Sequence, residues 1–139
     1  MILAIDPGKI TGLVWDIEGA PSEIDHAMVE FPEIYFTLDE MIKRDRFEYV
    51  IIENFLISGQ TAKKTQAPWS LKIIGACEYI CLREGINMIL QTPSEAKNFV
   101  TDKRLREHGM WFSGAGHDRD AARHYLLWMY KNKITELRP

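Results

Sequence analysis

The segment FEYVIIE, residues 47–53, constrains this chain more than any other. Its centre, Val50-Ile51-Ile52, is an unbroken apolar run with no polar residue on either side of the pleat. A strand of that kind is buried on both faces, as in the middle of a parallel sheet covered by helices above and below. The chain therefore needs helices on both sides of a sheet, and its remaining segments supply them.

Residues 1–6 (MILAID) form a second apolar strand. Residues 11–18 (TGLVWDIE) alternate and pair with it as a hairpin, with Gly8 in the turn. Residues 25–31 (DHAMVEF) read as a third strand. Residues 33–45 carry apolar side chains at Ile34, Phe36, Leu38, Met41 and Ile42, the spacing of a helix. Residues 56–66 (LISGQTAKKTQ) have no period and form a polar loop. Residues 68–84 read as a helix with Ile73, Ile74, Cys77, Ile80, Cys81 and a close-packing Gly75-Ala76 pair. A strand follows at 86–90 (INMIL). Pro93 opens a helix running to about residue 100, capped by Thr92. Residues 101–116 are polar, with Trp111 and Phe112 as the large apolar anchors, and a last helix spans about 117–131. The order β-β-β-α-β-α-β-α describes an α/β three-layer fold with a mixed five-stranded sheet, in one domain over 1–139. Ligands of such sheets sit at the carboxyl ends of the strands.

Composition excludes several classes. No apolar run approaches the roughly 20 residues of a membrane span, and the N-terminus lacks the pattern of a signal peptide. Cys77 and Cys81, four apart on one helix face, read as packed and reduced, and no Cys/His spacing suggests a zinc site. These features point to the cytoplasm. The net charge of −3 argues mildly against nucleic acid, although Lys43/Arg44/Arg46, Lys63/Lys64/Lys72 and Lys103/Arg104/Arg106 are local basic groupings. The chain lacks GxGxxG and GxxxxGK[ST], and 139 residues leave no room for the second lobe of a nucleotide clamp, so no nucleotide cofactor is expected.

Two apolar strands end on a carboxylate, Asp6 and Glu53. Singly, each reads as a solvent-facing strand end. Together, on neighbouring parallel strands, they converge, and two uncompensated anions that close repel. A divalent cation with oxygen ligands removes the conflict. The glycines after Asp6 let the chain turn beside the carboxylate and leave room for a nucleic-acid backbone. In GAGHDRDAARHYLLWMY, Ala121, Ala122, Tyr125, Leu126 and Met129 form a packed stripe. At 100° per residue, His117, Asp120 and His124 share a different face. Asp120 is thus surface or site. His117 is a surface residue, a ligand or a proton shuttle. Asp118 reads as the helix N-cap.

Assembled, these residues resemble the RuvC family of Holliday-junction resolvases, within the ribonuclease H-like fold, over nearly the whole chain. IDPG-x-x-x-TG is similar to the family's first strand and hairpin, and VIIENF to its fourth strand. GACEYICLREGI resembles the helix that follows, and TPSEAKNFV the Pro-x-x-(Val/Ala)-Lys segment. HDRDAARH resembles the closing acidic motif, in which an Asp or His precedes a second Asp by three residues. The short form and the DAARH wording look more like phage-encoded members.

The resemblance implies that Asp6, Glu53 and Asp120, with His117, are catalytic and hold divalent metal, Mg²⁺ or Mn²⁺, as two ions in one site. It implies a homodimer that resolves four-way DNA by paired phosphodiester hydrolysis in recombination, repair or phage DNA processing. It places Lys97 on DNA, and Phe55 either on junction bases or in the core. Lys63 and Lys64 in the polar loop would join Lys97 on phosphates. The net acidity and His117, in place of the commoner Asp, depart from the family. The helix at 68–84 is the candidate dimer face through its Ile/Cys/Gly-Ala surface, or else packs on the sheet. The alternatives are a nuclease of the same fold acting on flaps, forks or RNA–DNA hybrids, and a non-catalytic binding module.

Overall fold

The computed structural model describes residues 1–17, 20–55 and 67–132. Five strands and five helices follow one another as β1 (Ile2–Asp6), β2 (Ile10–Ile17), β3 (Ala20–Glu30), α1 (Glu33–Asp45), β4 (Tyr49–Glu53), α2 (Ala67–Glu84), β5 (Asn87–Gln91), α3 (Pro93–Phe99), α4 (Asp102–Glu107) and α5 (His117–Lys131). The sheet order is β3-β2-β1-β4-β5. β2 pairs antiparallel with both β1 and β3, while β4 runs parallel to both β1 and β5. The expected three-layer α/β fold with a mixed sheet is therefore observed, and Val50-Ile51-Ile52 lies at its centre, fully buried.

The two faces have separate cores. On one, Ile2, Ala4, Val14 and Ile51 pack against Ala96 of α3, Leu105 of α4 and the stripe Ala121, Ala122, Tyr125, Leu126 and Met129 of α5. On the other, Leu3, Ile5, Leu13, Val50 and Ile52 pack against α1 and against Ile73, Cys77, Ile80 and Cys81 of α2. Burying each such aliphatic side chain is worth about 1.5–3 kcal/mol, so strand parity fixes which side every residue takes. Cys77 and Cys81 are free and buried, their sulfurs 4.0 Å apart. Asp16 is buried beneath α5, accepting from the Ile2 amide at 3.0 Å and from the Tyr125 hydroxyl at 2.5 Å. Burial and Asp16 together push the Tyr125 pKa well above its usual value.

Several expectations are corrected. β3 begins earlier than residue 25 and is eleven residues long, paired with β2 along its length with a register shift between Asp16 and Ile17. Phe36 does not join the α1 core stripe but is 75% exposed. Residues 101–116 contain a helix, α4, capped by the Thr101 hydroxyl. Their anchors are Leu105 and Met110, both buried, and Phe112, which packs against the core as expected, whereas Trp111 is exposed. Gly75 is not a close-packing position, since a Cβ there would meet nothing within 4 Å. The Ile/Cys surface of α2 faces the sheet. The outer face of α2 carries Leu71, Gly75, Tyr79 and Leu82, all exposed. The Thr92 cap is observed as a full capping box with Glu95. Among the described residues no helix is long and apolar enough to cross a membrane.

Candidate active site

Parity and register build the site. Ile2 and Ala4 of β1 face α5, so Asp6, the next residue of that parity, faces it too. Ile51 of β4 and Ile89 of β5 also face α5, and the same step of two brings Glu53 and Gln91 to that side. Ile5 pairs with Ile52, and Glu53 pairs with Gln91. Asp6, Glu53 and Gln91 thus form a row across the carboxyl ends of three adjacent parallel strands, under the first half of α5.

α5 starts on Gly12. Gly12 stands opposite Asp6 in the β1–β2 ladder. A Cβ on Gly12 would lie 1.8 Å from the His117 carbonyl oxygen and 2.6 Å from the Asp118 nitrogen. The space beside Asp6 is therefore filled by the chain's own helix, not left for a nucleic-acid backbone as the glycines suggested. This contact sets His117 and Asp120 beside Asp6. Burial, then Glu53, then Asp120 push the Asp6 pKa well above the carboxylate range, while the Lys97 charge opposes the shift. Asp6, Glu53, Asp120 and Lys97 are thus brought within electrostatic reach of one another. His117, half-buried at the first position of α5, makes no side-chain hydrogen bond among the described residues.

Two neighbours hold these carboxylates. His124, fully buried one turn after Asp120, places Nε2 2.6 Å from Glu53 Oε2 and Nδ1 2.9 Å from Gln91 Oε1. Arg123 pairs with Asp120 at 3.4 Å and ties it to α3 and α4, donating to the Val100 carbonyl and to Asp102, both at 2.6 Å. Asp118 is not the helix N-cap: that position is Gly116, with φ of 94°. Asp118 is buried against β3, accepting from His26 Nδ1 at 2.9 Å, and the His26 ring stacks on Phe112 at 3.7 Å. A saturated, buried carboxylate held by a sheet residue is an anchor for the start of α5.

Of the predicted residues, Asp6, Glu53, Asp120 and Lys97 lie within electrostatic reach of one another, and the His117 backbone lies against Gly12. Phe55 is half-buried just beyond β4, where the Asn54 amide still donates to the Gln91 carbonyl. Lys63 and Lys64 lie outside the described residues. Gln91, Arg123 and His124 were not expected in this role. The signal for Gln91 was present, because NMILQ ends an apolar run on a polar residue as the other two strands do. A basic and aromatic surface flanks the site: the Arg106 and Arg119 guanidinium groups lie 4.1 and 4.4 Å from the ring centre of exposed Trp111.

The donor set suits a hard divalent cation, with three carboxylates whose mutual repulsion a cation relieves. Among the described residues, no group of three or more His, Cys, Asp or Glu side chains is placed to hold a metal ion; what the site shows is burial and carboxylate repulsion at Asp6, which a cation would relieve.

No protein-family model matches the chain, and no curated protein sequence matches it. Solved structures do. The structure of Thermus thermophilus RuvC in complex with a Holliday junction substrate superposes with a TM-score of 0.70 at 17% identity, over 99% of this chain and 98% of that one. A second Thermus thermophilus RuvC structure gives 0.68 at 18% identity, over 96% of each chain. The fowlpox virus resolvase, in complex with substrate Holliday junction DNA, gives 0.60 at 13% identity, over 94% of this chain and 99% of that one. The chain has the fold of these proteins.

Proposed function

We propose that the protein is a metal-dependent, structure-specific endodeoxyribonuclease that resolves four-way DNA junctions by paired phosphodiester hydrolysis. The observation that carries this reading is the buried Asp6 at the sheet edge with Glu53 and Asp120 beside it: burial first, then those two carboxylates, push its pKa up. A pure nucleic-acid binder gains nothing from three anions turned toward a phosphate backbone. The shared fold with RuvC and the fowlpox resolvase supports the same reading.

Asp6, Glu53 and Asp120 would hold Mg²⁺ or Mn²⁺ ions, with His117 completing the set. When bound, such ions supply Lewis-acid activation of water and charge stabilisation at the scissile phosphate. Strand ends β1 and β4 keep Asp6 and Glu53 side by side. Arg123 holds Asp120 over them. Lys97, exposed on α3 and within reach of the cluster, would neutralise and position the phosphate. Lys63, Lys64 and Phe55 would extend this contact surface to the junction arms.

Two cuts on opposite strands require two sites, hence a homodimer. The outer stripe of α2 suits self-association: Leu71, Tyr79 and Leu82 are 43%, 65% and 76% exposed, with Gly75 among them. The partner would thus dock on the opposite side of α2 from the Ile/Cys surface. We place this activity in phage DNA processing or host recombination and repair, in the cytoplasm.

The test is cleavage of a labelled four-way junction by wild type and Asp6→Asn, mapped at nucleotide resolution. Symmetric paired nicks by wild type, with junction binding but no cutting by the variant, are expected. Cuts confined to one strand indicate a flap or fork nuclease. Full cleavage by Asp6→Asn in Mg²⁺ refutes the site.

A further inference from the structure

Glu53 does not stand alone at the end of β4. Gln91, His124 and Glu53 form a hydrogen-bonded line running from β5 through α5 to β4, with distances of 2.9 and 2.6 Å. Gln91 is 3% exposed and His124 is fully buried. The imidazole is therefore clamped, with Tyr125 and Ala121 of the same helix packed into the core beside it.

We infer that His124 is a positioning residue that fixes the Glu53 carboxylate: it ties down Oε2 and leaves Oε1 as the freer oxygen to meet a cation. This rests on the reading of Glu53 as a cation-holding residue given above. The contact does not depend on the protonation state of the ring. Gln91 Oε1 faces Nδ1, so a cationic imidazole donates from Nδ1 to Gln91 and from Nε2 to Glu53. A neutral one donates from Nε2 to Glu53 with the Gln91 amide turned by half a rotation, so that Nδ1 accepts from its nitrogen. In both cases Nε2 is the donor to Glu53, and the Gln91 contact holds the ring in that orientation.

The physical consequence is preorganisation. A free glutamate at a strand end samples several rotamers and can approach a cation through one oxygen or two. Ordering such a side chain costs rotamer entropy. His124 removes that freedom before any ion arrives. Partners of this kind typically govern metal affinity or activity by about 10–100-fold.

The test compares two amides at one position. In His124→Gln the amide nitrogen reaches about as far as Nε2 and can still donate to Glu53. In His124→Asn it reaches only the Nδ1 position, so the Gln91 contact survives and the Glu53 contact does not. Both lose the ring and similar packing, so their melting temperatures in chelator should fall together. Mn²⁺ affinity, measured by calorimetry on the purified protein without DNA, should drop about 10–100-fold in His124→Asn. His124→Gln should recover most of it. Gln91→Met, nearly isosteric at the sheet edge, frees the ring tautomer and should weaken Mn²⁺ in the same direction. Wild-type Mn²⁺ affinity in His124→Asn overturns the proposal, as does an equal loss in both amides at equal melting temperature. A wild-type protein that takes up no Mn²⁺ overturns both this proposal and the cation reading of the site.

Discussion

Replacing Gly12 by alanine perturbs the site without touching any of its chemical groups. The new Cβ would sit 1.8 Å from the His117 oxygen, 2.1 Å from the His117 carbonyl carbon and 2.6 Å from the Asp118 nitrogen. All three are backbone atoms, so no side-chain rotamer relieves the clash. Reaching an ordinary carbon–oxygen contact of about 3.3 Å requires the start of α5 to lift from β2 by roughly 1.5 Å. Farther along, α5 is held by His124 on Glu53 and Tyr125 on Asp16. The displacement therefore falls on its first turn, which carries His117, Asp118 and Asp120. Overpacking of this kind costs about 1–3 kcal/mol, a fall of roughly 3–10 °C in melting temperature for a chain of this size. Moving Asp120 by about 1 Å relative to Asp6 should slow cleavage by on the order of 100-fold. Thermal melting followed by circular dichroism reads the first effect, and single-turnover junction cleavage in Mg²⁺ the second. An alanine variant that melts and cuts like wild type would refute the reasoning, because it would mean that α5 does not start on Gly12.

Charge reversal at Lys97 should weaken junction binding and reduce the slope of log affinity against log salt by about one; an unchanged slope in a filter-binding series counts against a phosphate contact. Tyr125→Phe removes the 2.5 Å hydroxyl donor from buried Asp16 and should cost about 1–3 kcal/mol in a urea titration, with unchanged m-value. A midpoint equal to wild type would show that the bond contributes nothing. Leu82→Glu places a charge on the outer stripe of α2 and should convert a dimer to a monomer in sedimentation velocity while leaving the melting curve of the monomer fold intact. Persistence of the dimer would move the interface elsewhere. In chelator, Asp6→Asn removes one of three repelling anions and should raise stability by about 1 kcal/mol; a lower melting temperature contradicts the crowding described here.

Much of the architecture was legible along the chain because it depends on local pattern. The unbroken apolar run before Glu53 demanded a central strand, and helical spacing located α1 at 33–45 and the buried stripe of α5. The Thr92 cap followed from a hydroxyl just before Pro93, a residue suited to the first helical position. Missed features are those whose cause is remote. α4 is too short to show a period. Trp111 looked like an anchor because it is large, yet it lies outside, flanked by two guanidinium groups. Asp118 looked like a cap because of its position, but its partner is His26 on β3, 92 residues away in the chain.

The same division runs through the site. The sequence by itself determined that Asp6 and Glu53 end buried strands and that His117, Asp120 and His124 share a helix face, since periods of 2 and 3.6 are properties of the backbone. Only the tertiary structure decided that the strands lie side by side in register, that α5 starts on Gly12, and that His124 turns inward to Gln91 and Glu53. Those outcomes depend on which surfaces meet, and a one-dimensional pattern specifies the faces of elements but not their partners. Gly12 shows the difference most plainly. In the chain it is one glycine of a turn; in the fold it is the space that lets three carboxylates gather.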